Sequence, residues 1–346
     1  MGAAISDKTK LLVYCTILPI TVLTCRYTIN LPARCPTPRH DMTTETLLKL
    51  KELIARHGTP EHAALRALPG ITLMAITQPT QPFLHVCEPA LTIVAQGVQR
   101  ISLGETPLDC GAGQYLVIPV DLPLAVQVLQ ASPERPFLSV SLSLRAEKIS
   151  SLLLEAQMGL PHDPAPAGLA VSDTAHALID AVVRLLGMLE QPADIPVLAA
   201  AVEREVLWRL INGPQGAMVR QLGIANSRMT QIGIAIGRLR SSYADPIRVA
   251  ELARAVGMSV TSFHRHFRAI TSLTPIAYQK QIRLQVARSR LMCAAEDVAA
   301  LGFAVGYDSS SQFSREYKRL FGHPPRQHGE RLRRQGNARS EDPPPQ

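Results

Sequence analysis

The chain has 346 residues, of which 46% are apolar and 18% charged, and its net charge is +8. This composition excludes a chain disordered along its whole length and provides apolar residues for two domains with separate cores. The charge is uneven: residues 42–237 hold 13 Lys and Arg against 17 Asp and Glu, whereas residues 238–336 hold 17 against 7. Such asymmetry points to a polyanionic partner for the C-terminal part, with a merely solvated basic face as the alternative.

Residues 11–25, LLVYCTILPITVLTC, follow Lys8 and Lys10 in the manner of a signal-peptide apolar region. As a helix they would reach about 22 Å, short of the roughly 30 Å hydrocarbon core of a bilayer. From Met42 the sequence MTTETLLKLKELIARHG reads as a capped amphipathic helix. Residues 1–41 are therefore expected to be an extension, mis-assigned or disordered, with a membrane anchor as the other reading. Six cysteines occur and none forms a C-x-x-C pair, which favours a reducing compartment, the cytoplasm, over a disulfide framework. Cys87, Cys110 and Cys293 have apolar neighbours and are expected as small buried hydrophobes.

Residues 71–77 (ITLMAIT), 90–97 (ALTIVAQG), 98–104 (VQRISLG) and 114–120 (QYLVIPV) are short apolar runs with Gly, Pro and Asp between them. Residues 137–145, FLSVSLSLR, alternate strictly, Leu and Val on one face and Ser on the other, which predicts a half-buried strand. The spacing predicts a small antiparallel barrel or double-sheet jelly roll, of a size to enclose one small ligand. His85, with Cys87 and Glu88 close by, lacks the further ligands a metal site needs, so a structural role is expected. No catalytic arrangement stands out, and no metal or cofactor is expected. After residue 146 the period turns helical. Ile179, Val182, Val183 and Leu186, then Val202, Val206, Leu207 and Leu210, form stripes that either pack on the barrel or make a dimer surface anchored by Trp208.

Residues 251–270 read as helix, Gly257 turn, capping Ser259, then a helix with Phe263, Phe267 and Ile270 inward. Residues 297–321 repeat the plan with Gly306, Ser309, Phe313 and Tyr317, and Gln312 completes a capping-box spacing. Each is a helix-turn-helix, and between them a helix from Pro275 continues for some 18 residues, about 27 Å at 1.5 Å per residue. That length suits two recognition helices near the 34 Å repeat of successive major grooves.

The motifs GMSVTSFHRHF, RLQVARSRLM and VGYDSSSQFSREYKRLFGHPP make residues 238–336 resemble the DNA-binding domain of the AraC/XylS family of bacterial transcription regulators. QYLVIPVDLPL and ASPERPFLSVSL make residues 42–160 similar to the sensory domain of a subgroup. The expected fold is α+β: a cupin-like antiparallel barrel, a helical dimerisation and linker region over 161–237, the tandem helix-turn-helix domain, and a disordered tail over 337–346. One departure is His328, where the family usually has an aromatic or acidic residue, which implies a weaker end to that segment.

With Phe263 and Phe267 buried, helical geometry leaves Thr261, Ser262, His264 and Arg265 facing out; in the second unit Ser310, Ser311, Gln312 and Arg315 do. The family places DNA contacts at the matching positions. Arg265 and Arg315 fit guanine O6 and N7, Gln312 fits adenine, and the short serines fit phosphates. His264 and His266, two apart, lie on opposite sides of their helix and hold no metal. The resulting expectation is a one-component, dimeric transcription regulator that binds promoter DNA, responds to a small-molecule effector and acts on RNA polymerase. The competing readings are a barrel enzyme fused to a DNA-binding domain, and a DNA-repair protein using Cys293 as thiolate.

Overall fold

The computed structural model describes residues 39–58, 65–104, 106–158 and 168–340. Residues 1–38, on which most of the expectation about an extension falls, lie outside the described residues, as do residues 341–346.

Helix α1 (Arg39–His57) is followed by β1 (Leu65–Leu68), β2 (Ile71–Ile76), β3 (Phe83–Cys87), β4 (Ala90–Gln96), β5 (Val98–Leu103), β6 (Thr106–Gly111), β7 (Gln114–Ile118), β8 (Leu122–Gln130) and β9 (Phe137–Ser143). Helix α2 (Ala146–Glu155) and the short β10 (Val171–Asp173) complete the β-rich part. The strands pair antiparallel in two sheets, one ordered β1-β2-β9-β4-β7-β10 and the other β3-β8-β5-β6. The chain crosses repeatedly between them, as in a double-sheet jelly roll. Neither sheet closes on itself, so the expected barrel is instead a pair of open sheets.

Strand β9 corrects the prediction of a half-buried strand. It lies between β2 and β4, and Ser139 on its hydroxyl face is buried, while Ser141 Oγ pairs with Thr92 Oγ1 at 2.9 Å. Alternation marked the apolar face correctly, but a hydroxyl satisfied by a neighbouring strand can be buried as well. The apolar face meets α3 (His176–Gly187): Ile71, Leu91, Ile93, Val140 and Leu142 face Val182, Leu185 and Leu186 across a gap of only about 10 Å³. That holds no more than one water, so no cavity for an effector is formed there.

Helix α4 (Ile195–Ile211) packs its apolar stripe, with that of α3, into the chain's own core. Ile179, Val182, Leu186, Val206, Leu207 and Leu210 are buried in the chain's own core, with Val183, Val202 and Trp208 packed against it. Trp208 is half-buried against that core. Among the large apolar side chains left exposed are Leu154 on α2 and Val197 and Leu198 at the start of α4, at 77%, 75% and 45%.

Helices α5 (Gly216–Leu222) and α6 (Arg228–Ser241) lead to the C-terminal helices α7 (Val249–Ala255), α8 (Val260–Thr271), α9 (Pro275–Cys293), α10 (Val298–Ala304), α11 (Ser310–Phe321) and α12 (Pro325–Ser340). Helix α12 runs past Gly336, where the sequence suggested that a disordered tail would follow. The N-terminal half of α9 docks on the second sheet. Tyr278, fully buried against Phe267, donates its hydroxyl to the Asp121 carbonyl at 2.8 Å, and the Asp121 carboxylate pairs with Arg240 of α6 at 2.5 Å. One residue, immediately before β8, thus holds both the connector helix and the linker helix.

Candidate nucleic-acid interface

The two helix-turn-helix units are built alike. In the first, the turn after α7 passes through Gly257, held at φ +69°, and the Met258 N–H returns to the Ala253 carbonyl at 2.9 Å. In the second, the turn after α10 passes through Gly306, at φ +91°, and the Tyr307 N–H returns to the Gly302 carbonyl at 3.0 Å. Both glycines need the left-handed region that costs other residues most. Ser259 caps α8 by accepting from the Ser262 N–H at 3.3 Å, and Ser309 caps α11 by accepting from the Gln312 N–H at 3.4 Å. Phe263 and Phe267 in one helix and Phe313 and Tyr317 in the other are fully buried. Each such burial contributes about 1.5–3 kcal/mol, which fixes the rotation of each helix about its axis.

That rotation decides what faces out. Thr261, Arg265, Ser311, Gln312 and Arg315 are exposed, and Ser262, His264 and Ser310 half-exposed. The sequence reading missed Val260, 44% exposed at the first turn of α8, an apolar side chain of the kind that meets a thymine methyl. Arg268, Lys318 and Arg319 are exposed further along the same helices and extend the basic surface.

The capping box at Ser309 is only half formed. Gln312 does not reach back to the Ser309 N–H; its Nε2 donates forward to Glu316 Oε1 at 3.1 Å. Glu316 also accepts from Lys280 Nζ of α9 at 2.8 Å and from Tyr307 Oη at 3.0 Å. Burial alone would raise the Glu316 pKa, but these three donors together hold it below the usual carboxylate range. Burial, reinforced by Glu316, pushes the Tyr307 phenol up.

Arg283 ties the second unit to the turn that follows α6. Its Nε donates to the Tyr243 carbonyl at 2.7 Å, Nη1 to Gly306 at 2.6 Å, and Nη2 to Ala244 and Asp245 at 3.0 Å each. Gly306 is forced there for a second reason: a Cβ on it would lie 2.2 Å from the Ala244 carbonyl oxygen.

His328 does not weaken the end of the domain. Its Nδ1 lies 3.1 Å from Tyr317 Oη and its ring packs on Tyr317 and Phe321, so it ties α12 to the recognition helix. Burial, with the charges of Arg288, His323 and Arg331 nearby, pushes its pKa down to about 4. Two cysteines follow expectation, with Cys110 buried, Cys87 half-buried and burial pushing both thiols up to about 12. Cys293 does not: it is exposed at the end of α9, where the helix leaves the core. His85 is exposed on the edge strand β3. Among the described residues, no three His, Cys, Asp or Glu side chains come together as a metal site, and no helix is long and apolar enough to cross a membrane.

Two capped helix-turn-helix units with basic outer faces, joined to an antiparallel double sheet, have the form of a DNA-binding domain attached to a second domain. Two family models match the chain: AraC-type transcriptional regulator N-terminus over residues 67–218, and helix-turn-helix domain over residues 252–331. The chain belongs to the AraC/XylS family of transcription regulators. It is 26% identical over 157 residues to the HTH-type transcriptional regulator ArgR of Pseudomonas aeruginosa, covering 44% of this chain and 46% of that one. It is 25% identical over 151 residues to the HTH-type transcriptional activator RhaS of Escherichia coli O1:K1, covering 44% and 54%. The matched stretch thus spans about half the length of these curated relatives, which are named as regulators and not as enzymes. In fold the chain is similar to ToxT of Vibrio cholerae O395, solved with (E)-4-(8-methylnaphthalen-1-yl)but-3-enoic acid, at TM-score 0.51 and 12% identity over 76% of this chain and 98% of that one.

Proposed function

We propose that this chain is a one-component transcription regulator of the cytoplasm that reads promoter DNA with α8 and α11 in successive major grooves. The observation that carries the reading is the repeated helix start: two serine-capped helices 50 residues apart, each with an aromatic inner face and a polar, arginine-bearing outer one. Arg265 and Arg315 are assigned to guanine, Gln312 to an adenine edge, Thr261, Ser262, Ser310 and Ser311 to phosphates, and His264 to either. The domain limits follow the same reading: sensory over 42–160, linking and dimerising over 161–237, and DNA-binding over 238–336.

A small molecule sensed by the double sheet is the proposed input, as ToxT was solved with a small organic acid. The buried hydroxyls of Thr92 and Ser139 and the half-buried one of Ser141 offer polar anchors once the open sheets part. Asp121 then transmits the change, since any shift of β8 moves the Tyr278 and Arg240 contacts together. A second copy of the chain, seated over the exposed Leu154, Val197 and Leu198, and RNA polymerase complete the proposed partners.

The test is Arg315→Ala measured on specific and random DNA. Specific binding is expected to weaken by about 1–3 kcal/mol while nonspecific binding is spared. An equal loss on both would refute the base-reading role.

A further inference from the structure

Gln312 stands at the outer face of α11 with its amide already committed. Its Nε2 donates to Glu316 at 3.1 Å, and an ionised carboxylate only accepts, so turning the amide over would set oxygen against oxygen. The carboxylate cannot swing away, because Lys280 and Tyr307 hold its two oxygens at 2.8 and 3.0 Å. Glu316 is half-buried and Gln312 exposed, so what faces outward is Gln312 Oε1 and the remaining Nε2 hydrogen, in a fixed order. Fifty residues earlier the corresponding positions hold Ser262 and His266, and no such pair exists in the first unit.

We propose that Glu316 is a positioning residue that sets the base preference at Gln312 by fixing the sense of its amide. Adenine gives an N6 hydrogen to Oε1 and takes the Nε2 hydrogen at N7. Guanine and thymine present O6 or O4, both acceptors, where Oε1 stands, and are rejected; cytosine offers an amino group and is second best. Lys280, on the connector α9, ties this reading amide to the helix that sets the spacing of the two units. The proposal rests on the reading that Gln312 meets a base edge.

The test is selection of sites from a randomised DNA pool by the full chain, its Gln312→Ala variant, and the variants Glu316→Gln and Glu316→Asp. Gln312→Ala should erase the preference at one base position. Glu316→Gln should keep every other position and admit guanine or thymine at that one, discrimination there falling about tenfold. Glu316→Asp keeps the charge but withdraws it by one methylene, and should relax the same position; it serves if Glu316→Gln does not fold. Unchanged preference in the Glu316 variants, with Gln312→Ala altered, overturns the role of Glu316 alone. An even loss across the whole second half-site also overturns it, since that marks a loosened helix. If Gln312→Ala changes no position, the underlying reading of Gln312 fails instead.

Discussion

Replacing Arg283 by Met keeps most of the side chain's length and removes only its charge and donors. The guanidinium makes four hydrogen bonds, all to main-chain carbonyls, at 2.6 to 3.0 Å, joining the 243–245 turn to Gly306. A bond from a charged donor contributes about 1.5–3 kcal/mol, but four on one half-exposed group share a single desolvation cost and do not add. The expected loss is about 2–4 kcal/mol, centred on the second helix-turn-helix. Hydrogen exchange on the full chain should show faster exchange at Gly306 and Tyr307, while the Phe263 and Phe267 core stays protected. DNA binding should then lose the half-site read by α11 and keep the one read by α8. A stability loss below about 1 kcal/mol with both half-sites retained would refute the reasoning.

Asp121→Ala combined with Tyr278→Phe removes both clasps between the second sheet and the helices; exchange should rise in the first half of α9, and an unchanged profile would rule out Asp121 as the coupling point. His328 is neutral when folded, with a pKa pushed from 6.5 to about 4, so protonation favours the unfolded chain. The His328 contribution to stability is therefore full above pH 6.5 and is lost progressively from there to about pH 4, and His328→Gln should remove that part of the slope in thermal melts. Coinciding slopes would contradict the assignment. Specific affinity should also fall steeply with salt as phosphates release counterions, and a flat salt series would contradict a basic DNA-binding face.

The helical half was legible because its signals are local. Ser259, Ser309, Gly257 and Gly306 announce caps and turns within four residues, and the aromatic period sets which side is buried. The β half was legible only in its strongest strands. Pro123 inside β8 and the polar β6 masked two strands of the second sheet, and β10 is too short to show a period. What the sequence could not supply were contacts set by the tertiary fold. Asp121 meets Tyr278 from 157 residues away, and Lys280 reaches Glu316 from 36 away. The same distance in sequence explains His328: read alone it was a departure from pattern, but beside Tyr317 and Phe321 it is a packing residue.

The central claim, that one chain reads two adjacent grooves, is tested most directly by selecting genomic DNA fragments with the purified full chain at moderate salt and sequencing what is retained. The account predicts sites with two short conserved blocks about one helical turn apart, each altered by changes in α8 or α11 respectively. A single block, or fragments with no shared sequence, would contradict it.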